Sequence, residues 1–172
     1  MELLTIRRET PADRSCVDEI LRQAFGGAVE ADLVETLRTR RRLSISLVAH
    51  KEGKAIGYVA FSPVQVEGSH ASRARALGLA PLAVVPSQQG HGVGSRLVEA
   101  GVAAAARSGW DLIFVLGEPD YYGRFGFVTA AAHRLHWEQI CPEPYFMVNE
   151  LRRGTLTQVS GIVRYDKAFT LV

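Results

Sequence analysis

A glycine-rich turn between a strand and a helix constrains the fold of this chain more than any other feature. An apolar run that ends at Val85 leads into Gly90, Gly92 and Gly94, and a helical pattern begins at Ser95. The first N–H groups of a helix have no partner within the helix, and the helix dipole is positive there, so such a turn attracts phosphate or pyrophosphate. Glycine also lets the backbone approach a ligand closely. The sequence therefore predicts a phosphate-binding loop, with a tight turn that holds no ligand as the alternative.

Three phosphate-binding patterns compete for this turn. A P-loop requires Gly-Lys-Ser/Thr, which the sequence lacks. A Rossmann loop requires GxGxxG, whereas the glycines here give GxGxG, and the acidic Asp111 precedes the next strand instead of following it. The spacing Gln89-x-x-Gly92-x-Gly94 matches a third pattern, Gln/Arg-x-x-Gly-x-Gly/Ala. On the residues alone, a nucleotide- or dinucleotide-binding domain of another kind stays open.

Hydrophobic periodicity predicts alternating strands and helices around the turn. Thr10 and Asp13 are typical of a helix start, with Pro11 in the first helical position. Proline cannot donate to a central ladder, so Pro81 predicts a bulge or a splayed edge. The predicted elements are strands at 2–7, 44–50, 55–66, 73–85, 111–116 and 158–165, and helices at 11–25, 30–40, 95–108 and 119–125. This order predicts a mixed α/β or α+β single domain.

Composition excludes several classes of protein. The 172 residues are 47% hydrophobic and 22% charged, which is typical of one globular domain. The formal net charge of +2 argues against a nucleic-acid partner. There is no apolar run of about 18 residues for a membrane span, and no signal peptide is recognisable. Cys16 and Cys141 form no CxxC pair, so we expect no metal site and a cytoplasmic protein.

Three blocks resemble the GNAT superfamily of N-acetyltransferases, which use acetyl-coenzyme A. Pro81-Leu82-Ala83-Val84 is similar to the central strand along which the pantetheine arm lies in that family. Gln89 to Gly94, followed by Ser95, is similar to its pyrophosphate loop. Tyr122-Gly123-Arg124-Phe125-Gly126-Phe127 is similar to its Tyr-x-x-Leu-Gly-Phe block.

One branch of the superfamily is closer still. The segment from Leu116 to Phe127 resembles the LGDPxYYxRFGF block of the YhbS-like predicted acetyltransferases. Segments 144–151 and 159–165 resemble the carboxyl-terminal part of that branch, so the resemblance covers nearly the whole chain. One departure is that many members carry an Asn before the Tyr block, where Gly117 and Glu118 stand here.

The resemblance implies a fold and a cofactor site. It implies a single GNAT-like domain over 1–172, with a core at about 2–127 and carboxyl-terminal strands at about 128–172. Its mixed central sheet is splayed between its two central parallel strands and flanked by helices. Pantetheine would pair with the splayed edge, and a backbone N–H would face the thioester oxygen. The implied acetyl-CoA-binding residues are Leu82, Ala83, Val84, Gln89, Gly90, His91, Gly92, Val93, Gly94 and Ser95.

The candidate catalytic residues are Tyr122, which the resemblance implies, and Glu118, which its position at the end of a predicted strand indicates. Tyr122 is the candidate general acid for the departing thiolate, with Tyr121 as alternate and simple ring packing as the competing interpretation. Glu118 follows a strand and is the candidate base for the amine, with Asp120 and Glu150 as alternates and a solvated carboxylate as the competing interpretation. His91 is expected to act through its backbone.

The leading interpretation is an acetyl-CoA-dependent N-acetyltransferase that acts on a primary amine of a small molecule or protein. The chain would work as a monomer or homodimer, without membrane or nucleic acid. The alternative is a non-catalytic sensor or interaction module that binds acyl-CoA on the same fold. Residues 141–150 either line a pocket for a cationic amine or form an ordinary strand.

Overall fold

A computed structural model of the chain describes residues 3–68, 70 and 74–172, which fall into two units. Unit 1 comprises Met1–Ser62, Ala80–Ala103 and Lys167–Val172, and unit 2 comprises Pro63–Leu79 and Ala104–Asp166. In chain order the elements are β1 (Leu4–Arg8), α1 (Arg14–Phe25), α2 (Val29–Thr39), β2 (Ile45–Lys51), β3 (Lys54–Glu67), β4 (Ala76–Val84), α3 (Val93–Arg107), β5 (Leu112–Leu116), α4 (Pro119–Tyr122), β6 (Val128–Thr129), β7 (Leu135–Trp137), β8 (Phe146–Glu150), α5 (Thr155–Gln158) and β9 (Gly161–Arg164).

Antiparallel strands β1, β2 and β3 carry the amino-terminal part of unit 1. Leu4 pairs with Lys51 at one end of the β1–β2 ladder, and β2 pairs antiparallel with β3. The turn between β2 and β3 has positive φ at both central residues, 50° at Glu52 and 75° at Gly53. Two left-handed residues match the right-handed twist of the flanking strands, which explains the tight hairpin between the strands predicted at 44–50 and 55–66.

Helix α1 begins where a buried carboxylate is held from two sides. Asp13 accepts hydrogen bonds from the backbone N–H and the hydroxyl of Thr10 at 2.7 and 2.9 Å, as the capping pattern predicts. The Arg7 guanidinium donates to both carboxylate oxygens at 2.7 and 2.8 Å. These bonds hold the pKa of Asp13 well below its usual range. The pair therefore ties the start of α1 to β1.

Helix α3 packs directly against β3 because glycine replaces a side chain on each element. A Cβ at Gly57 on β3 would lie 2.9 Å from a methyl carbon of Leu97 on α3. A Cβ at Gly101 on α3 would lie 2.3 Å from the ring of Phe61, which is fully buried on β3. The glycines at these two positions thus permit a close contact between α3 and β3.

Unit 2 contains the parallel pair that the fold class requires. Residues Ala76–Gly78 of β4 pair in parallel with Leu112–Phe114 of β5, and among the described residues this ladder ends at Gly78 although β4 runs on to Val84. Strand β8 pairs antiparallel with β5 and β6. Strand β9 pairs antiparallel with the end of β3 and parallel with β7. The mixed sheet of the predicted α+β fold is thereby confirmed.

The predicted elements agree with the observed ones over most of the chain. The helix predicted at 95–108 begins at Val93, and the strand predicted at 158–165 is limited to β9. The strands predicted from residues 2 and 73 start at Leu4 and Ala76, and Glu2 and Arg73 lie outside the described residues. The sequence prediction missed β6, β7 and α5, because elements of two to four residues show too little periodicity, whereas β8 falls within segment 141–150, for which a strand was one of two interpretations.

We expect Gly101→Ala to lower the free energy of unfolding by about 1–3 kcal/mol, since its Cβ would overlap the buried Phe61 ring. The matched control is Gly123→Ala, where φ is −57° and no atom lies within 4 Å of the added Cβ. That variant should be neutral or gain about 0.5–1 kcal/mol, because alanine loses less backbone entropy. Urea unfolding measures both changes, and equal effects would contradict the close contact.

Candidate acetyl-CoA site

The glycine turn in unit 1 leaves open space in front of its backbone. A 3-10 turn at Pro86–Gln88 follows β4, and α3 begins at Val93. Gly90 and Gly92 both adopt left-handed φ values, 76° and 78°. A Cβ at either glycine would meet no atom within 4 Å. A ligand can therefore approach the backbone closely at both positions.

Hydrogen bonds fix the turn at the head of α3. The Gly92 carbonyl accepts the backbone N–H of Arg96 at 3.1 Å, which starts the helical ladder. The Gln89 side-chain amide donates to the Val84 carbonyl at 2.9 Å and closes the loop onto the end of β4. The positive end of the α3 dipole lies at this turn, so the arrangement fits the pyrophosphate of a coenzyme.

The other predicted acetyl-CoA-binding residues differ in how far they are buried, and therefore in which of their groups a ligand can contact. Leu82 and Val84 are half-buried, whereas Ala83 is buried in the unit 1 core beside Tyr58, so only its backbone is left for a ligand. His91 is exposed, which agrees with a backbone role. Val93 is buried, and a Cβ at Gly57 would lie 3.1 Å from its side chain, so it anchors the loop.

In unit 2, Tyr122 is the last residue of α4 and is only 9% exposed. Its ring meets Tyr121 and Phe127 edge-on, with centroid distances of 4.9 and 5.6 Å. Burial is the main cause that raises the pKa of Tyr122 to about 12. The phenol is therefore neutral across the physiological range and can act only as a proton donor there.

Glu118 stands at the start of the same helical turn, with its side chain exposed. Its carbonyl accepts the backbone N–H groups of Tyr121 and Tyr122 at 3.1 and 3.0 Å. The structure thus places the two predicted catalytic residues at the two ends of the short helix α4, Glu118 as its N-cap and Tyr122 as its last residue. Of the alternates, Asp120 is exposed, while Glu150 accepts the backbone N–H of Leu156 at 2.7 Å and holds α5.

Segment 141–150, for which the sequence left a pocket lining or an ordinary strand open, contributes to both. Glu143 and Phe146 line one cavity, and Tyr145 lines another with Glu118. Met147 is buried in β8, as in an ordinary strand.

Two residues that support the Tyr122 turn were missed in the sequence. A Cβ at Gly117 would lie 2.3 Å from the Tyr122 ring, so the ring comes closer to the backbone there than a side chain at 117 would allow. The Asn149 side-chain amide donates to the Phe125 carbonyl at 2.9 Å and holds the turn that follows Tyr122. The available signal was an amide within the apolar run of β8, since a buried amide needs a partner.

Over the residues that the structure describes, no group of three or more His, Cys, Asp or Glu side chains is arranged to hold a metal ion. Within the same described ranges, no helix is both long and apolar enough to cross a membrane.

Known proteins resemble this chain over nearly its full length. The profile of the acetyltransferase (GNAT) domain matches residues 42–129. The uncharacterised N-acetyltransferase YhbS of Escherichia coli strain K12 is 40% identical over 167 residues, which cover 96% of this chain and 98% of that protein. The crystal structure of YhbS from Escherichia coli in complex with CoA matches with a TM-score of 0.92 at 38% identity, covering 99% of this chain and 93% of that one. An acetyltransferase of the GNAT family from Brucella melitensis in complex with acetyl-CoA gives a TM-score of 0.79 at 30% identity, covering 98% of this chain and 99% of that one.

Gly92→Val is expected to weaken CoA binding about tenfold or more, because the side chain would fill the space that a pyrophosphate must enter. Gly26→Val is the matched control, since Gly26 at the end of α1 also has positive φ, 72°, and no atom within 4 Å of an added Cβ. Both variants carry the same backbone strain, so only the loop variant should lose affinity. Isothermal titration with CoA decides this, and unchanged affinity in a folded Gly92→Val protein would remove the loop from the cofactor site.

Proposed function

The chain belongs to the GNAT family of N-acetyltransferases, and from that premise we propose that it transfers the acetyl group of acetyl-CoA to a primary amine of a small molecule or protein. Acetyl-CoA is the co-substrate, in line with the CoA and acetyl-CoA complexes of two similar structures. The observation that carries the proposal is the glycine turn at the head of α3, where the backbone faces open space.

The proposed role of unit 1 is to hold the coenzyme. Backbone N–H groups of the loop from Gly90 to Ser95 bind the pyrophosphate, with Gln89 keeping the loop against β4. The β4 segment from Leu82 to Val84 lies beyond the end of the parallel ladder, so its backbone is the proposed partner of pantetheine. A backbone N–H there is the proposed donor to the thioester oxygen as negative charge develops on it.

The proposed role of unit 2 is proton transfer. Glu118 accepts a proton from the ammonium, directly or through water, and leaves a neutral amine. The amine nitrogen forms a bond to the acetyl carbon, and the carbon–sulfur bond breaks. The Tyr122 hydroxyl donates its proton to the departing thiolate, and the proton lost by the new amide restores the tyrosine by way of solvent. The products are the N-acetyl amide and CoA with a free thiol.

Three further properties stay proposals from the sequence. The whole chain, 1–172, acts as one N-acetyltransferase domain, it works in the cytoplasm, and it is a monomer or a homodimer. Size-exclusion chromatography with light scattering measures the last of these.

Tyr122→Phe deletes only the hydroxyl and keeps the ring packing. If the phenol protonates the thiolate, turnover should fall about 100-fold or more, whereas acetyl-CoA affinity should stay near wild type. Tyr121→Phe is the matched comparison, because Tyr121 is the neighbouring tyrosine on α4 and the alternate candidate acid, so its turnover should stay near wild type if Tyr122 holds the role. Single-turnover acetyl transfer beside a binding isotherm measures both effects. Full activity in Tyr122→Phe would leave cofactor binding intact and overturn the catalytic role.

The raised pKa of Tyr122 predicts the shape of the pH–rate profile. Because the hydroxyl keeps its proton below a pKa of about 12, loss of the acid should not reduce the rate between about pH 6 and 10. The rate should instead rise with pH as the amine loses its proton, and then level off. A fall in rate that begins near pH 8 or 9 and disappears in Tyr122→Phe would contradict the raised pKa of Tyr122.

Glu118→Gln tests the base. Turnover should fall most at low pH, where the amine is protonated and needs the carboxylate, and the deficit should shrink towards about pH 9. Asp120→Asn removes a neighbouring exposed carboxylate and should leave the profile unchanged. Rates of thiol release across about pH 6 to 9 measure both variants. A deficit of equal size at every pH would take Glu118 out of the proton path.

A further inference from the structure

Two cavities share a wall in unit 2 beside Glu118. The first has a volume of about 340 Å³, and its lining includes Leu116, Glu118, Trp137, Ile140, Pro142 and Tyr145. The second has about 220 Å³ and shares Trp137, Ile140 and Pro142 with the first. The volume of the first cavity lies within the range of small-molecule sites. The second cavity adjoins the first and is not lined by Glu118.

The first cavity is almost entirely apolar in its side chains. Ile140 is fully exposed and Leu116 is 49% exposed, which leaves large apolar side chains in contact with water. Covering such a surface with a ligand favours binding, in proportion to the apolar area removed from water. The body of a ligand in this cavity should therefore be apolar.

The first cavity offers a ligand one carboxylate. Of the described residues that line the first cavity, Glu118 alone carries a carboxylate. One carboxylate pairs with one ammonium, and a second cationic group among apolar side chains would lack a partner at high cost. Glu143 lines only the second cavity, so a second ammonium would find a partner only if the ligand extended into that cavity. The lining of the first cavity therefore favours a monoamine over polyamines and sugars with several amines.

The aromatic wall of the cavity is fixed in place by stacking. The Trp137 ring stacks on Phe146 at 6.2 Å between centroids and 14° between planes, and it meets the edge of Tyr165 at 6.1 Å. Phe146 in turn stacks on Phe114 at 5.5 Å. A wall held in this way is formed before a ligand arrives, and an aromatic face favours an aryl group.

We infer that this cavity binds the acceptor, and that the acceptor is a primary monoamine with an aryl or branched alkyl body. The ammonium pairs with Glu118, and the apolar body covers Ile140 and Trp137. The part of this inference that concerns acetyl transfer rests on the proposed function, whereas binding of the amine can be measured alone.

Tryptophan fluorescence measures binding without turnover. The chain has two tryptophans, so Trp110→Phe leaves Trp137 in the cavity wall as the only reporter. In this background 2-phenylethylamine should change the emission with at least about tenfold tighter binding than ethanolamine or spermidine. Ile140→Ser should weaken phenylethylamine binding about tenfold. Ile162→Ser is the control, because Ile162 is also an exposed apolar residue of unit 2 but lies on β9 outside the lining.

The inference is overturned if ethanolamine or spermidine binds as tightly as phenylethylamine, or if Ile140→Ser binds phenylethylamine like wild type. Thiol release from acetyl-CoA with the same amines then separates the two proposals. Transfer to polar amines only would support the proposed function and overturn the inference. Preferred binding of phenylethylamine without thiol release for any amine would support the apolar amine site and contradict the proposed transfer. Where transfer occurs, Ile140→Ser should raise KM about tenfold and leave kcat unchanged, since uniform binding is lost.

Discussion

The contact between helix α3 and strand β3 is the constraint on which the position of the glycine turn depends. Gly57 and Gly101 remove one side chain from each element, and Leu97 and Phe61 fill the space. Close packing of this kind fixes the position of a helix along a strand, because a shift would create both a void and a clash. The head of α3 carries the glycine turn, so the same packing that stabilises unit 1 also positions the backbone groups of the loop.

The sequence predicts the loop and its flanking elements well because their signals are local. Helix α3 has a regular apolar face, and glycines at Gly90 and Gly92 stand where the backbone adopts positive φ. Strands β6 and β7 were missed because two or three residues have no measurable period, and their pairing partners lie far along the chain. The support of Tyr122 by Gly117 was missed although the two residues are only five positions apart, since no pattern of residue types shows that the ring comes against this backbone.

The environment of Tyr122 bears in two ways on its proposed role as general acid. Burial raises its pKa to about 12, so the proton is always present, but a weaker acid gains less from transferring that proton. The departing group reduces the conflict, because a thiolate is a good leaving group whose ordinary pKa of about 8.5 demands only partial protonation. A neutral, well-packed phenol is then sufficient, and Gly117 permits the packing without a strained ring.

The cavity beside Glu118 has opposing effects on the amine that it is proposed to hold. The carboxylate favours the ammonium, but Glu118 is exposed, so water weakens that attraction. The apolar lining acts in the other direction, because removing an ammonium from water lowers its pKa and favours the neutral, nucleophilic form. A single exposed carboxylate at the edge of an apolar wall can therefore attract the cation and still release it as a free amine. Several buried carboxylates would bind the cation more tightly and would hold it in the unreactive state.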